Sequence, residues 1–189
     1  NWSMGKKISI DSSTMMNKVF EVIETQKIFD LPKSKIDILI HQKSYVHAIV
    51  ELKNGLKKIL VHDTDMTIPI FNTIYDDNKK HLKSKSLNVT NLNNLNFKKI
   101  DQKKFPITKV LNFLPKQDSL FETILVSAND ELVNLFLQKK ISFKEIIKNL
   151  MKIINLKEFR KFRNKKPRNI KEIYNLNNSV RLKIRELCI

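Results

Sequence analysis

The apolar positions at the start of the chain change from alternating to helical spacing. Residues 7–10 alternate polar and apolar side chains, which predicts a short strand. From Met15 to about Ile28, apolar residues recur every three or four positions, which predicts a helix. The residues between them, 11–14, are Asp, Ser, Ser and Thr, all common helix caps. The opening stretch is therefore predicted to be a strand, a polar turn and a helix.

Three apolar stretches and one turn signal predict a small sheet after this helix. Residues 35–40 are typical of a buried strand, and residues 45–52 and 56–61 of two more. The Asn54-Gly55 pair between the last two strands predicts a hairpin with a type I′ turn. We expect a small mixed sheet, antiparallel at least at the hairpin, packed on the first helix.

Composition changes after the sheet. Residues 76–101 are rich in Asn and Lys and have weak periodicity, which predicts a linker with one short edge strand near residues 95–97. Helical spacing then continues to the end of the chain, with Ser142 as a predicted N-cap. The predicted helices cover residues 107–114, 119–137, 143–154, 170–174 and 178–187.

The predicted fold class is α+β. We expect a partial catalytic domain over residues 1–75, a linker over 76–101 and an all-α C-terminal helical bundle over 102–189. Because the chain starts with Asn inside a motif, we expect it to be a C-terminal piece of a longer protein.

The chain is strongly basic, with 36 Lys and Arg against 19 Asp and Glu and a net charge of +17. Such a charge suggests a nucleic-acid-binding module. The basic residues are spread almost evenly, however, and even the densest run, residues 157–168, is more typical of a solvated face. The single cysteine, Cys188, and the lack of an apolar run of membrane length indicate a cytoplasmic protein without a membrane partner.

Polar residues at the start of the first helix suggest an anion site. Unpaired N–H groups and the helix dipole favour a phosphate there, and Ser12, Ser13, Asn17 and Lys18 add donors. Glu21 lies on the same face one turn later, where a carboxylate suits a divalent metal. The residues thus suggest a phosphorylated small molecule with a metal near it. The alternative is an ordinary helix cap followed by a solvated surface.

The opening string NWSMGKKISIDSSTMMNKVFEVIE closely resembles the substrate-binding segment of the 1-deoxy-D-xylulose 5-phosphate reductoisomerase family. That family's pattern is approximately H-P-x-W-S-M-G-x-K-I-x-V-D-S-A-T-M-x-N-K-x-x-E. Here Ser13 stands where Ala is usual, and the leading His-Pro lies outside the chain. The resemblance implies an oxidoreductase and isomerase that uses NADPH and Mg²⁺ or Mn²⁺. Such an enzyme converts 1-deoxy-D-xylulose 5-phosphate to 2-C-methyl-D-erythritol 4-phosphate in non-mevalonate isoprenoid biosynthesis.

Later stretches resemble the same family. Residues 36–52 are similar to V-L-I-H-P-Q-S-x-V-H-S-x-V, and residues 127–131 to its A-A-N-E segment. Residues 62–70 are similar to G-x-P-D-M-R-x-P-I, which implies that Met66 lies near Trp2. In that last motif the usual Gly, Pro and Arg are replaced by His62, Thr64 and Thr67.

Residue roles follow from the resemblance alone. Ser12, Asn17 and Lys18 would bind the phosphate side of the substrate. Glu21 would bind the metal near the substrate hydroxyls, as both a catalytic and a substrate-binding residue. The implied cofactor contact is Gly5, and the implied flap over the substrate consists of Trp2 and Met4.

The other half of such an enzyme is not in the sequence. No G-x-G-x-x-G stretch follows a strand, and the family's Asp-x-Glu metal pair would lie before Asn1. We therefore expect the chain to be inactive alone and the whole protein to be an active homodimer without a specific nucleic-acid partner. Two alternatives stay open: a basic nucleic-acid-binding module and a catalytically silent dimerisation domain.

Overall fold

The chain is described by a computed structural model that covers residues 4–75 and 80–188. Its contacts divide into two compact units. Residues 38–75 and 80–100 form the sheet unit, and residues 4–37 and 101–188 form the helical unit. The predicted α+β class is confirmed. The predicted domain limits, 1–75, 76–101 and 102–189, stay a prediction.

The helical unit contains six α-helices and two 3₁₀ turns in its described residues. The helices are α1 (Lys6–Thr14), α2 (Met16–Phe29), α5 (Phe121–Leu137), α6 (Phe143–Ile154), α7 (Lys157–Arg160) and α8 (Ile170–Cys188). The 3₁₀ turns are Lys33–Lys35 and Pro106–Phe113. The sheet unit contains β1 (Leu39–Ile40), β2 (Val46–Glu51), β3 (Lys57–Val61), α3 (Thr67–Ile74), α4 (Val89–Asn93) and β4 (Lys98–Lys99).

Helix α5 forms the centre of the helical unit, packed against α1, α6 and α8. Most of its circumference is buried, and one stripe through Val126, Asn134 and Leu137 stays exposed. The predicted cap of α6 is confirmed: Ser142 and Glu145 form a capping box, in which Ser142 N–H donates to the Glu145 carboxylate at 2.7 Å. The fully buried apolar residues of α5 include Ile124, Leu125, Ala128 and Leu132.

The prediction of a strand over residues 7–10 is wrong, because these residues lie within α1. Side chains at i and i+2 point to different sides of a helix, so Ile8 is exposed while Ile10 is half-buried. The cap cluster at 11–14 ends α1 instead of starting a helix. Met15, in the left-handed conformation with φ 67°, then joins α1 directly to α2.

The predicted hairpin is confirmed, with Ala48 opposite Leu60 and Glu51 opposite Lys57. Its turn differs from type I′. Of the turn residues only Gly55 has positive φ, at 86°, and Leu52 N–H donates to Leu56 O at 2.8 Å across a three-residue loop. This is the common three-residue hairpin loop, in which a glycine in the left-handed conformation is the last residue of the turn.

The rest of the predicted sheet is smaller than expected. The strand predicted at 35–40 shortens to β1, which pairs with β4. Both β4 and helix α4 lie within residues 76–101, where a linker was predicted. All strand pairing in the described residues is antiparallel, which contradicts the predicted mixed sheet. The predicted packing of the sheet on the first helix stays a prediction, because the strands and α2 belong to different units.

Other helices also differ from the sequence prediction. Residues 67–74 form α3, which the sequence pattern did not predict, and the two predicted C-terminal helices form one helix, α8. In α8, buried Leu176, Val180 and Ile184 follow one another at four-residue steps, so packing holds the Asn-rich middle helical. Within residues 4–75 and 80–188, no helix is long and apolar enough to cross a membrane.

Candidate functional site

The candidate site lies where α1 meets α2, because the helix pair brings four of the predicted residues into one short segment. Ser12 is in the last turn of α1, and Asn17 and Lys18 are in the first turn of α2. Glu21 follows three residues after Lys18, on the same side of the helix. Met15 N–H donates to Ser12 O at 3.2 Å and closes the link between the two helices.

Side chains occupy part of the main-chain anion site that we expected at the start of α2. Met16 N–H donates to Thr14 Oγ1 at 3.4 Å, and Lys18 N–H donates to Asn17 Oδ1 at 2.9 Å. These bonds satisfy N–H groups that an anion would otherwise use. The donors that remain for an anion near this link are therefore mainly side-chain groups: the Ser12 hydroxyl, Asn17 Nδ2 and Lys18 Nζ.

Ser12 and Ser13 differ in their hydrogen bonding. The Ser13 hydroxyl donates to Ser9 O at 2.8 Å within α1. We expected it to be a free donor for an anion, and the structure shows that it is already used. For the Ser12 hydroxyl, no hydrogen-bond partner is found among the described residues. Because the Ser13 hydroxyl is exposed and bonds within its own helix, serine can stand at position 13 where the family pattern has alanine.

Lys18 and Glu21 form an ion pair at the surface of α2. Lys18 Nζ lies 2.8 Å from both Glu21 carboxylate oxygens, and the two side chains are 38% and 52% exposed. An exposed pair of this kind contributes about 0.2–1 kcal/mol and is easily separated. Both groups can therefore turn to a ligand at little cost.

Gly5 is the residue before α1, with φ −59° and ψ 155°. These angles are open to any residue, so the backbone does not require glycine here. Within the part of the chain that the structure describes, a Cβ on Gly5 would meet no heavy atom within 4 Å. The described residues thus give no reason for glycine at this position, and an outside group has room there. Met4 is half-buried beside it, whereas Trp2 lies outside the described residues.

A buried carboxylate next to Ser12 was missed by the sequence analysis. Asp11 is 4% exposed, and its oxygens accept from Lys7 Nζ at 2.7 Å and from Asn129 Nδ2 at 2.8 Å. Lys7 Nζ also lies 3.1 Å from Asp130 Oδ1. Burial lowers the pKa of Lys7, but hydrogen bonds and charges from Asp11 and Asp130 outweigh it and raise that pKa.

The same network continues from α5 to α8. Arg181 donates to Asp130 at 3.0 Å, and Arg185 Nε donates to buried Glu131 at 2.6 Å. Burial alone would raise the pKa of Glu131, but the hydrogen bonds and charges of Arg185 and Arg181 lower it. The only sequence signal for this network was the match of residues 127–131 to the family's A-A-N-E segment.

The remaining motif residues lie in the sheet unit. Met66 is exposed, and its predicted proximity to Trp2 falls outside the described residues. His41 Nε2 accepts from Val46 N–H at 3.1 Å. His47 and His62 stack with ring centroids 3.5 Å apart. Among the described residues, no group of three His, Cys, Asp or Glu side chains could hold a metal ion.

Comparisons with known proteins agree on one family. Residues 62–183 match a family described as DXP reductoisomerase C-terminal domain. Residues 1–29 match one described as 1-deoxy-D-xylulose 5-phosphate reductoisomerase C-terminal domain. The 1-deoxy-D-xylulose 5-phosphate reductoisomerase of Pelagibacter ubique is 62% identical over 189 residues, which cover 100% of this chain and 49% of that protein. The Aquifex aeolicus enzyme is 34% identical, over 98% of this chain and 48% of that protein.

Solved structures give the same result. A reductoisomerase in complex with NADPH, fosmidomycin and magnesium superposes with a TM-score of 0.87 at 30% identity, over 98% of this chain and 47% of that one. The Zymomonas mobilis enzyme in complex with NADPH gives a TM-score of 0.83 at 30% identity, over 96% and 47%. The chain spans about half the length of the curated relatives that it matches.

Proposed function

The chain belongs to the 1-deoxy-D-xylulose 5-phosphate reductoisomerase family, and we propose that it works as the substrate-binding part of such an enzyme. The whole protein would have the length of its relatives and would convert 1-deoxy-D-xylulose 5-phosphate to 2-C-methyl-D-erythritol 4-phosphate with NADPH. The observation that supports this proposal is the position of Ser12 in the last turn of α1 and of Asn17, Lys18 and Glu21 in the first two turns of α2, with Lys18 and Glu21 paired on one face.

Ser12, Asn17 and Lys18 bind the substrate phosphate in this proposal. They supply a hydroxyl, an amide and an ammonium on one short segment, and hydrogen bonds between charged groups are the strongest of these contacts. The phosphate draws Lys18 Nζ away from Glu21. Because the Lys18–Glu21 pair is exposed, this exchange costs little.

Glu21, freed in this way, is proposed as one ligand of the divalent metal. Mg²⁺ prefers oxygen ligands and is commonly held by one or two carboxylates with waters and substrate oxygens. A single exposed carboxylate fits one position of such a set, and the other protein ligands would come from outside the described residues. When bound, the metal would act as a Lewis acid on the substrate oxygens. Mn²⁺ has the same preference for oxygen and is proposed as an alternative ion.

NADPH is proposed to approach the chain at Gly5. Open space lies where a side chain at this position would stand, and backbone without a Cβ allows a ligand to come close. Trp2 and Met4, which precede Gly5 by three residues and one residue, are proposed to form the flap that closes over the substrate and excludes water.

A homodimer in the cytoplasm completes the proposal. A two-stranded hairpin is marginal alone, and β2–β3 leaves apolar side chains exposed. The exposed set is Ile49, Val50, Leu56, Ile59 and Leu60. Ile49 pairs with Ile59 across the two strands, so these two side chains share one face of the hairpin. We propose that the same face of a second copy covers them. Light scattering should then give the mass of a dimer for the whole protein and of a monomer after Ile59→Lys.

The activity is tested by following NADPH absorbance when the whole protein meets 1-deoxy-D-xylulose 5-phosphate and Mg²⁺. We expect NADPH oxidation with formation of 2-C-methyl-D-erythritol 4-phosphate by the whole protein and none by this chain alone. Absence of activity in the whole protein would refute the proposed function. Activity of this chain alone would refute the dependence on a second half.

A further inference from the structure

Asp11 has both carboxylate oxygens committed to protein groups. Its Oδ2 accepts from Lys7 Nζ at 2.7 Å, and its Oδ1 accepts from Asn129 Nδ2 at 2.8 Å. A carboxylate that is 4% exposed is costly unless it is paired in this way. Asn129 belongs to α5, the central helix of the unit, so Asp11 fixes the last turn of α1 to the most buried element nearby.

The residues after Asp11 pass this fixed position on to the proposed substrate donors. Ser12 follows directly in the chain. Thr14 Oγ1 donates to Asp11 O at 3.2 Å and accepts from Met16 N–H at 3.4 Å, so the start of α2 is tied to Asp11 as well. A shift of Asp11 would therefore move Ser12 and the first turn of α2 together.

Lys7 connects this arrangement to α8. Its Nζ bridges Asp11 and Asp130, and Asp130 in turn accepts from Arg181 at 3.0 Å. Three helices that are distant in sequence thus meet in one chain of hydrogen bonds and charges. Charged networks of this kind hold a single geometry when every member has a partner.

We propose that Asp11 is a positioning residue for the sugar phosphate: it sets where Ser12, Asn17 and Lys18 present their donors, without contacting the ligand. The inference rests on the proposed function and deepens it. Because both of its oxygens are taken by Lys7 and Asn129, Asp11 is anchored by these partners and does not act as a ligand; it acts through Ser12 and Thr14, which follow it in the chain. The helical bundle then has a role in substrate binding and is not only a support for the fold.

The test compares wild type, Asp11→Asn, Asn129→Asp and the double variant in the whole protein. The readouts are the KM for 1-deoxy-D-xylulose 5-phosphate, the Kd of fosmidomycin by calorimetry and the thermal unfolding temperature. Misplacement of about 1 Å can cost about a hundredfold, so we expect each single variant to raise KM and Kd about 10- to 100-fold. The double variant reverses the amide–carboxylate pair, so its KM and Kd should be at least about tenfold lower than those of the single variants.

A matched control separates positioning from stability. Ser142→Ala weakens the capping box of α6, away from α1 and α2, and should lower the unfolding temperature with unchanged KM and Kd. If Asp11→Asn behaves like this control, Asp11 is only structural and the inference is wrong. If Asp11→Asn does not fold, Lys7→Gln replaces it; unchanged KM and Kd in Lys7→Gln would also overturn the inference.

The two proposals fail in different ways. A wild-type protein that neither oxidises NADPH with the substrate nor binds fosmidomycin refutes the proposed function, and the inference about Asp11 falls with it. A wild-type protein that does both, with Asp11→Asn unchanged in KM and Kd, refutes the inference alone.

Discussion

Lys18 Nζ lies 2.8 Å from both carboxylate oxygens of Glu21. The cation proposed for the phosphate and the carboxylate proposed for the metal are thus paired with each other when no ligand is present. Each neutralises the other, and both stay at the surface. Ligand binding would replace this weak internal pair with two stronger ones, because contacts between charged groups gain strength in a site from which water is excluded.

Replacing Lys18 tests the phosphate side of this exchange. Lys18→Met keeps an apolar stem but loses a charge-assisted hydrogen bond, which contributes about 1.5–3 kcal/mol. Since about 1.4 kcal/mol is a factor of ten, the KM for the sugar phosphate should rise about 10- to 150-fold. The free energy of unfolding should change by less than about 1 kcal/mol. Steady-state kinetics and urea unfolding of the whole protein check both numbers.

Lys27→Met is the matched control for Lys18→Met. Lys27 lies on the same helix with similar exposure and pairs with Asp118 and Glu122, away from the candidate site. It should leave the KM of the sugar phosphate unchanged. Equal rises in KM for both variants would indicate a general effect of surface charge and would contradict a specific role for Lys18.

Gly5→Ser tests the proposed approach of NADPH. Serine is a good N-cap residue, and the backbone angles and open space at position 5 accept a side chain, so the unfolding temperature should hold. The added atoms would fill the space proposed for the cofactor. We expect the KM for NADPH to rise about tenfold or more while the fold is kept.

Gly55→Ser is the opposite case and serves as the comparison for Gly5→Ser. Gly55 needs its φ of 86° to close the hairpin turn, so serine there should lower stability and leave the KM for NADPH unchanged. An unchanged KM for NADPH in Gly5→Ser would remove Gly5 from the proposed cofactor contact.

The lowered pKa of Glu131 predicts that the stability of the protein falls in acid. Its pKa is lower in the folded state, since Arg185 and Arg181 outweigh the effect of burial. A carboxyl group of this kind stabilises the fold fully above its unfolded pKa of about 4.3, and this contribution is lost as the pH falls through the lower folded value. Glu131→Gln should therefore unfold at a lower temperature at pH 7 and show a smaller further decrease below about pH 4.3.

The exposed Glu51 is the control for this titration. It pairs with Lys57 on the hairpin at 3.4 Å, with both side chains largely exposed. Glu51→Gln should follow the wild-type curve of unfolding temperature against pH from 7 to about 3. If Glu131→Gln also follows that curve, the buried network does not contribute to the acid sensitivity.

The sequence predicted α2, α5 and α6 well because their periodicity is carried by many buried residues. Helix α6 has the predicted bounds, 143–154, and its cap is the predicted Ser142. The hairpin was also predictable, because Asn54-Gly55 is a strong local signal. The family resemblance of residues 1–24 could not be found from hydrophobic periodicity, because it depends on particular residues at fixed positions.

The errors have a common physical cause, which is that short segments take their structure from distant contacts. The four alternating residues at 7–10 could not reveal that Asp11, just after them, is held by Asn129 of α5, a partner 118 positions away. Helix α8 likewise continues through an Asn-rich stretch because Leu176 and Val180 pack into the bundle. In the candidate site, spacing correctly placed Lys18 and Glu21 on one face but could not show that they pair.

The dependence of activity on Mg²⁺ in Glu21→Gln tests the central claim most directly, because it joins the reaction to one side chain of this segment. Glutamine keeps the size and an oxygen of Glu21 but removes its charge. Mutation of even an outer-shell partner of a metal ligand typically costs 10- to 100-fold in affinity or activity, so loss of a charged ligand should cost at least as much. We expect wild-type protein to oxidise NADPH with the sugar phosphate. In Glu21→Gln, the Mg²⁺ concentration for half-maximal rate should rise about tenfold or more, or the rate should fall about 100-fold at saturating Mg²⁺. A Glu21→Gln protein with the wild-type rate and the wild-type Mg²⁺ dependence would contradict the account.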